Sequence, residues 1–140
     1  MLSDFERKVN KGRYILAQKL IITQPGAFLK RYYYDNNTGF LAAAYSNGKF
    51  SIYKLVQEEL NEVQTFTVGT YKISSICVNE SCTWIGLGIK SAGQVIVWEW
   101  KSQSYILSQK GLVHDTLSLG SYKNGKYIAT GTAQGEVKLW

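Results

Sequence analysis

A chain of 140 residues with 45% apolar side chains, 14% aromatic, 13 glycines and one proline is long enough for one domain with a sizeable core. It is also too apolar to be disordered. Its net charge of +6 is uneven: residues 1–50 hold eight Lys/Arg against three Asp/Glu, and residues 51–140 hold eight against seven. The longest apolar runs, such as Leu20 to Ile22 and Phe40 to Tyr45, fall far short of the roughly 20 residues of a membrane helix. The opening MLSDFERKVNKG is too charged for a signal peptide, so an intracellular protein with no membrane partner is expected.

In chain order, residues 1–12 read as a basic arm or linker. Short strands are predicted at Arg13 to Leu16, Leu29 to Tyr34, from Phe40, and at Lys49 to Tyr53. The acidic segment Val56 to Val63 (VQEELNEV) is too short for an independent helix and reads as a loop. Further strands are predicted at Val63 to Thr67, Ser74 to Val78, from Trp84, at Gln94 to Trp98, Ser104 to Leu107, Leu117 to Tyr122, from Tyr127 and at Glu136 to Trp140. The turns are rich in Asp, Asn and Gly, as in DNNTG, NESCT and KNGK.

One pattern recurs three times: FLAAAYSNGKFSIY, WIGLGIKSAGQVIVW and YIATGTAQGEVKLW. Each copy closes on an aromatic, and these residues, Tyr53, Trp98 and Trp140, stand 45 and 42 residues apart. In each copy a glycine (Gly48, Gly93 or Gly135) sits in the turn between two strands and supplies the positive φ of a tight hairpin. Approximate repeats span 13–55, 63–100 and 104–140, with four short strands each. Repetition at this period with tight turns predicts an all-β fold of about three four-stranded β-propeller blades, an incomplete propeller. Unpaired sheet edges on such a stack invite self-association.

On the strength of GKFSIYKL, GQVIVWEW and IATGTAQGEVKLW, the repeats resemble the WD40 family. That family usually has Asp after the closing Trp, a Gly-His pair ahead of the first strand, and a buried His–Ser/Thr–Trp–Asp network. Here Lys54 and Glu99 follow Tyr53 and Trp98, and only His114, three residues after Gly111, stands near the histidine position. The resemblance therefore implies an incomplete network, with His114 a hydrogen-bonded structural loop residue. A closer resemblance covers roughly residues 40–140 and rests most specifically on WEWKSQSYILSQKG, from Trp98 to Gly111. It is to the periodic tryptophan protein 2 family of tandem-propeller proteins. That resemblance implies an internal segment of a nucleolar scaffold of the small-subunit processome. The implied partners are other processome WD40 proteins, precursor ribosomal RNA and a box C/D small nucleolar ribonucleoprotein.

Catalytic chemistry is sparse. The one histidine, His114, lies beside Asp115, with no nucleophile elbow in sight. Cys77 and Cys82, five apart, do not match zinc-ligand spacing and read as small reduced residues. Glu58, Glu59 and Glu62 read as a solvated acidic cluster. GLGIKSAG lacks phosphate-loop spacing and precedes a strand, so it reads as a strand ending in a turn. No enzyme activity, metal or cofactor is expected. The candidate RNA contacts are Arg7, Lys8, Lys11 and Arg13 in the basic arm, and Lys30 and Arg31 beside Tyr32, Tyr33 and Tyr34. The competing readings are a solvated basic surface and a strand with alternate buried tyrosines. The alternative function is a WD40 interaction module in signalling or in ubiquitin-ligase substrate recognition.

Overall fold

A computed structural model of the protein describes Lys19 and residues 21–69, 72–90, 93–110, 114–122 and 125–140. Eleven strands follow one another: β1 (Leu29–Asp35), β2 (Phe40–Tyr45), β3 (Lys49–Val56), β4 (Glu59–Thr67), β5 (Ile73–Val78), β6 (Trp84–Ile89), β7 (Gln94–Glu99), β8 (Ser104–Lys110), β9 (Thr116–Ser121), β10 (Ile128–Thr132) and β11 (Val137–Leu139). They form three antiparallel meanders, ordered β1-β2-β3-β4, β5-β6-β7-β8 and β9-β10-β11. The fold is all-β, as expected, with four-, four- and three-stranded blades among the described residues. The predicted strand at Arg13 to Leu16 lies outside the described residues.

The sheets run one strand out of phase with the sequence repeats. The strand around Val63 to Thr67, placed at the head of the second repeat, pairs with β3 and so closes the first sheet. The strand from Ser104 closes the second sheet in the same way. Hydrogen bonding to the preceding strand decides membership, because a short loop favours an adjacent antiparallel partner.

The hairpin turns hold the glycines where a left-handed backbone is required: Gly48 (φ 79°), Gly93 (φ 52°) and Gly135 (φ 82°). The acidic segment Val56 to Val63 differs from its expectation as a loop. β3 runs to Val56, β4 starts at Glu59, and Val56 pairs directly with Glu59. Gln57 (φ 50°) and Glu58 (φ 68°) form a two-residue turn with both residues left-handed, which matches the twist of the flanking strands. The ladder here overrides the poor strand propensity of Glu and Asn.

Two kinds of β-bulge recur. Lys30, Ser74 and Leu117 each stand unpaired where the register of the first strand of a sheet shifts. Val63 and Ile106 stand unpaired in the fourth strands, next to the residues that oppose Tyr53 and Trp98. An extra residue bends the strand and sharpens its twist. The repetition of these bulges shows that they belong to the blade, although turn residues alone do not reveal them.

Because side chains alternate between faces, each sheet offers one face to each neighbour. Ala42, Ala44, Phe50 and Ile52 of the first sheet pack with Ile85, Leu87, Ile89 and Ile96 of the second. Cys77, Trp84 and Val97, on the opposite face of the second sheet, pack with Ile128 of the third. Space there is made by Gly86 and Gly88. A β-carbon on Gly86 would come within 2.6 Å of Cys77 Sγ, and one on Gly88 would collide with the Ser75 hydroxyl. Gly86→Ala should therefore destabilise the fold by about 1–3 kcal/mol through overpacking, read as a lower urea midpoint at unchanged slope.

Candidate interaction surfaces

The closing aromatics occupy equivalent places, opposite Leu41, Ile85 and Ile128. Their polar ends are treated differently. Trp140 Nε1 donates to Thr130 Oγ1 at 3.0 Å. The place of Thr130 is taken by Leu87 in the second sheet and Ala43 in the first, so neither offers a hydroxyl. Trp98 Nε1 is buried with no hydrogen-bond partner among the described residues. Its ring instead packs against Phe66 and Tyr105, each at 4.7 Å between centroids. Tyr53 and Tyr45 bond hydroxyl to hydroxyl at 2.9 Å. Burial and that bond push the Tyr45 phenol well above its ordinary range.

The turns between the first and second strands are held by side chains that turn chemistry marks only weakly. Asp35 accepts from the backbone and the hydroxyl of Thr38, which lowers its carboxyl pKa. At the equivalent place Asn79 Oδ1 accepts from Thr83 N (2.9 Å) and Trp84 N (3.0 Å). Both are side-chain mimics of a backbone turn. The readable signal is an Asp or Asn followed by Thr three or four residues later.

The first strands of the three sheets lie side by side and are tied across sheets. Arg31 Nε donates to Ser74 O at 2.7 Å, and its Nη1 donates to Lys30 O at 2.8 Å. Ser74 Oγ donates to Gly88 O and to Thr116 O. Ser121 Oγ donates to Val78 O at 2.9 Å. Arg31 is thus a latch between β1 and β5. Lys30 extends over the Phe28 ring, 4.6 Å from its centroid. Tyr33 packs into the core, while Tyr32 is 67% and Tyr34 42% exposed. The reading of alternate buried tyrosines therefore applies to Tyr33 alone.

His114 is exposed, at a bend before β9. Arg7, Lys8, Lys11 and Arg13 lie outside the described residues. Cys77 in β5 and Cys82 in the turn before β6 are free and buried, and burial pushes the Cys77 thiol up to about 11. Among the described residues no three His, Cys, Asp or Glu side chains stand close enough to hold a metal ion.

The outward face of the third sheet is bare. Tyr127, Ala129, Gly131, Val137 and Leu139 take the places of Trp84, Gly86, Gly88, Val95 and Val97 in the second sheet. The latter set is buried, whereas Val137 is 74% and Leu139 68% exposed. Tyr122, Tyr127, Ala129 and Leu139 line an apolar groove of about 490 Å³ on this face.

Sequence comparison decides the lineage. The chain is 31% identical over 137 residues to periodic tryptophan protein 2 homolog of Mus musculus, covering 96% of this chain and 15% of that protein. It is 33% identical over 103 residues to periodic tryptophan protein 2 of Saccharomyces cerevisiae, covering 74% and 11% respectively. Over the segment it spans, the chain belongs to the periodic tryptophan protein 2 family of WD40 proteins. It spans about one-seventh of the length of the mouse relative. No protein-family profile matches it. Among solved structures, the Cps50 (Swd1) β-propeller domain of Myceliophteria thermophila superposes with a TM-score of 0.72 at 8% identity, over 80% of this chain and 40% of that one. The RRP9 WD40 repeats superpose with a TM-score of 0.72 at 9% identity, over 84% and 36%. These identities carry the fold alone, a WD40-type propeller.

Two tests follow from this geometry. Trp140→Phe breaks the bond to Thr130, whereas Trp98→Phe removes a donor that is already unpaired. Trp140→Phe should cost about 1 kcal/mol more than Trp98→Phe in urea unfolding. Both cysteines should resist iodoacetamide at neutral pH in the native chain and react on unfolding, since the thiolate is the nucleophile and both thiols are raised and buried.

Proposed function

We propose that this chain acts as a non-catalytic scaffold in the nucleolar small-subunit processome. In this reading it presents loops and sheet faces to other WD40 proteins during maturation of small-subunit ribosomal RNA. The observation that carries the reading is homology to periodic tryptophan protein 2 across nearly the whole chain. The WD40-type fold supports it, because stacked sheets hold many loops rigidly without a catalytic cleft. Precursor ribosomal RNA and the box C/D ribonucleoprotein are further partners in this proposal.

Lys30 is the candidate RNA contact among the described residues that is best placed to meet phosphate, next to the exposed rings of Phe28 and Tyr32. Arg31 is committed to backbone carbonyls, so its replacement would disturb the junction of β1 and β5 first. The deciding experiment is gentle purification of the tagged full-length protein from its own cells, followed by sequencing of bound RNA and identification of bound proteins. Enrichment of pre-ribosomal RNA leader and box C/D small nucleolar RNA is expected. An RNA-free complex of signalling or ubiquitin-ligase subunits would reject the processome reading. In the same cells Lys30→Glu should weaken RNA crosslinking, with no change in fold.

The chain on its own should also self-associate, through the bare face of the third sheet and the outer edge of β11. Light scattering should show mass rising with concentration, and Leu139→Lys should suppress the rise. A monodisperse monomer at high concentration would rule this out.

A further inference from the structure

The stack of three sheets has two outer faces, and the two are in opposite states. On the outer face of the first sheet Ala43, Tyr45 and Tyr53 are 1%, 3% and 4% exposed, and Ile22 and Ala27, from the segment ahead of β1, pack against them. That segment is tied down where it enters β1: Phe28 N donates to Ser46 Oγ at 3.2 Å, and Ser46 N donates to Phe28 O at 2.9 Å. The β1 margin of this face stays open, with Tyr32 and Tyr34 exposed beside Lys30. On the outer face of the third sheet Tyr127, Val137 and Leu139 are all exposed. We propose that this bare face pairs with the same face of a second copy, while the covered face stops growth at the other end, so that the chain closes as a two-fold dimer and does not build an open stack.

Four observations point to a second copy in this arrangement. The first is charge. Two chains of net charge +6 repel one another, so they can close only across a neutral surface. The residues lining the hollow on the third sheet are all uncharged, whereas the open margin of the first sheet carries Lys30. The second is relief. Gly120 and Ala129 form a low floor, and a β-carbon on Gly120 would meet no atom within 4 Å. Tyr127 and Leu139 stand exposed beside that floor. A face that carries both hollow and projections can match itself, as a two-fold contact requires. The third is a precedent within the molecule. Ala129 and Gly131 take the places of Gly86 and Gly88, which the third sheet covers: Ile128 Cδ1 lies 3.8 Å from the position of a β-carbon on Gly86, and Thr116 Cγ2 lies 2.9 Å from that of one on Gly88. Small residues at these two places thus receive side chains from an overlying sheet. The fourth is exclusion. Stacking the third sheet of one copy on the first sheet of the next would need Ala43, Tyr45 and Tyr53, and the chain's own segment already buries them. Two antiparallel sheets of like twist pack face to face without rearrangement.

The dimer rests on the self-association proposed above and gives it a geometry and a limit. Sedimentation equilibrium of the full chain over a roughly hundredfold range of concentration should give a mass that levels off at twice the 15.8 kDa of one chain. Leu139→Lys should weaken association roughly tenfold or more, because it sets a charge against an apolar face. Mixing separates the two geometries. Labelled Leu139→Lys titrated with unlabelled wild type should show a similar loss, since a two-fold contact needs two intact faces. In a stack of third sheet on first sheet the variant would still offer its first sheet, and wild type would bind it undiminished. Ile22→Asp, with unchanged circular dichroism, should uncover the first sheet and yield species larger than two copies; a mass still limited to two would show that the segment is not the stop. A monomer at every concentration would remove the self-association itself. Wild-type mass growing past two copies, or undiminished binding to labelled Leu139→Lys, would leave self-association standing and overturn the closed dimer.

Discussion

The contact on which the rest of the structure depends is the packing of one sheet face on the next. A single antiparallel meander buries one face at most, and a lone blade leaves the other wet. Here the second sheet is covered on both sides, and its strands β5 and β6 are accordingly almost continuously buried. The centre of the contact is aromatic, with Phe66 of the first sheet between Phe50, at 5.2 Å, and Trp98 of the second, at 4.7 Å. Stacked and tilted rings at these separations add to the area they bury. The closing aromatic is therefore an interface residue as much as a strand residue.

Polar groups are arranged around that apolar stack to suit it. Asp35 and Asn79 close the turns at one end, while Ser74 and Arg31 tie the first strands to one another through backbone carbonyls. Such bonds give modest net stability each and define which sheet sits beside which. Where the network is incomplete, shape takes over: Trp98 Nε1 has no partner among the described residues, and its ring is held by aromatic contacts. Leu87 in place of a threonine supplies packing where the third sheet supplies a hydroxyl.

The surface chemistry divides by element. The first strand of the first sheet carries cations and exposed tyrosines, the β3–β4 hairpin carries acids, and the outer face of the third sheet is apolar. Among the described residues no three His, Cys, Asp or Glu side chains stand close enough to hold a metal ion, and His114 is exposed.

The sequence by itself determined the all-β class, the turn glycines and the repeat, because alternation and turn glycines are local properties of the chain. It placed Gly48, Gly93, Gly135 and the three closing aromatics in their blades, and the WD40 resemblance followed from those residues. Tertiary structure alone decided the rest. Which sheet Val63 to Thr67 joins depends on a hydrogen-bonding partner, and local pattern does not specify it. The VQEELNEV segment is acidic and reads as a loop, yet pairing with β3 makes it a hairpin. Arg31 reads as a surface cation, but a carbonyl 43 residues away in sequence makes it a latch. Val137 and Leu139 occupy the places of Val95 and Val97, which are buried, yet they are exposed, because burial of a sheet face requires a second sheet to cover it.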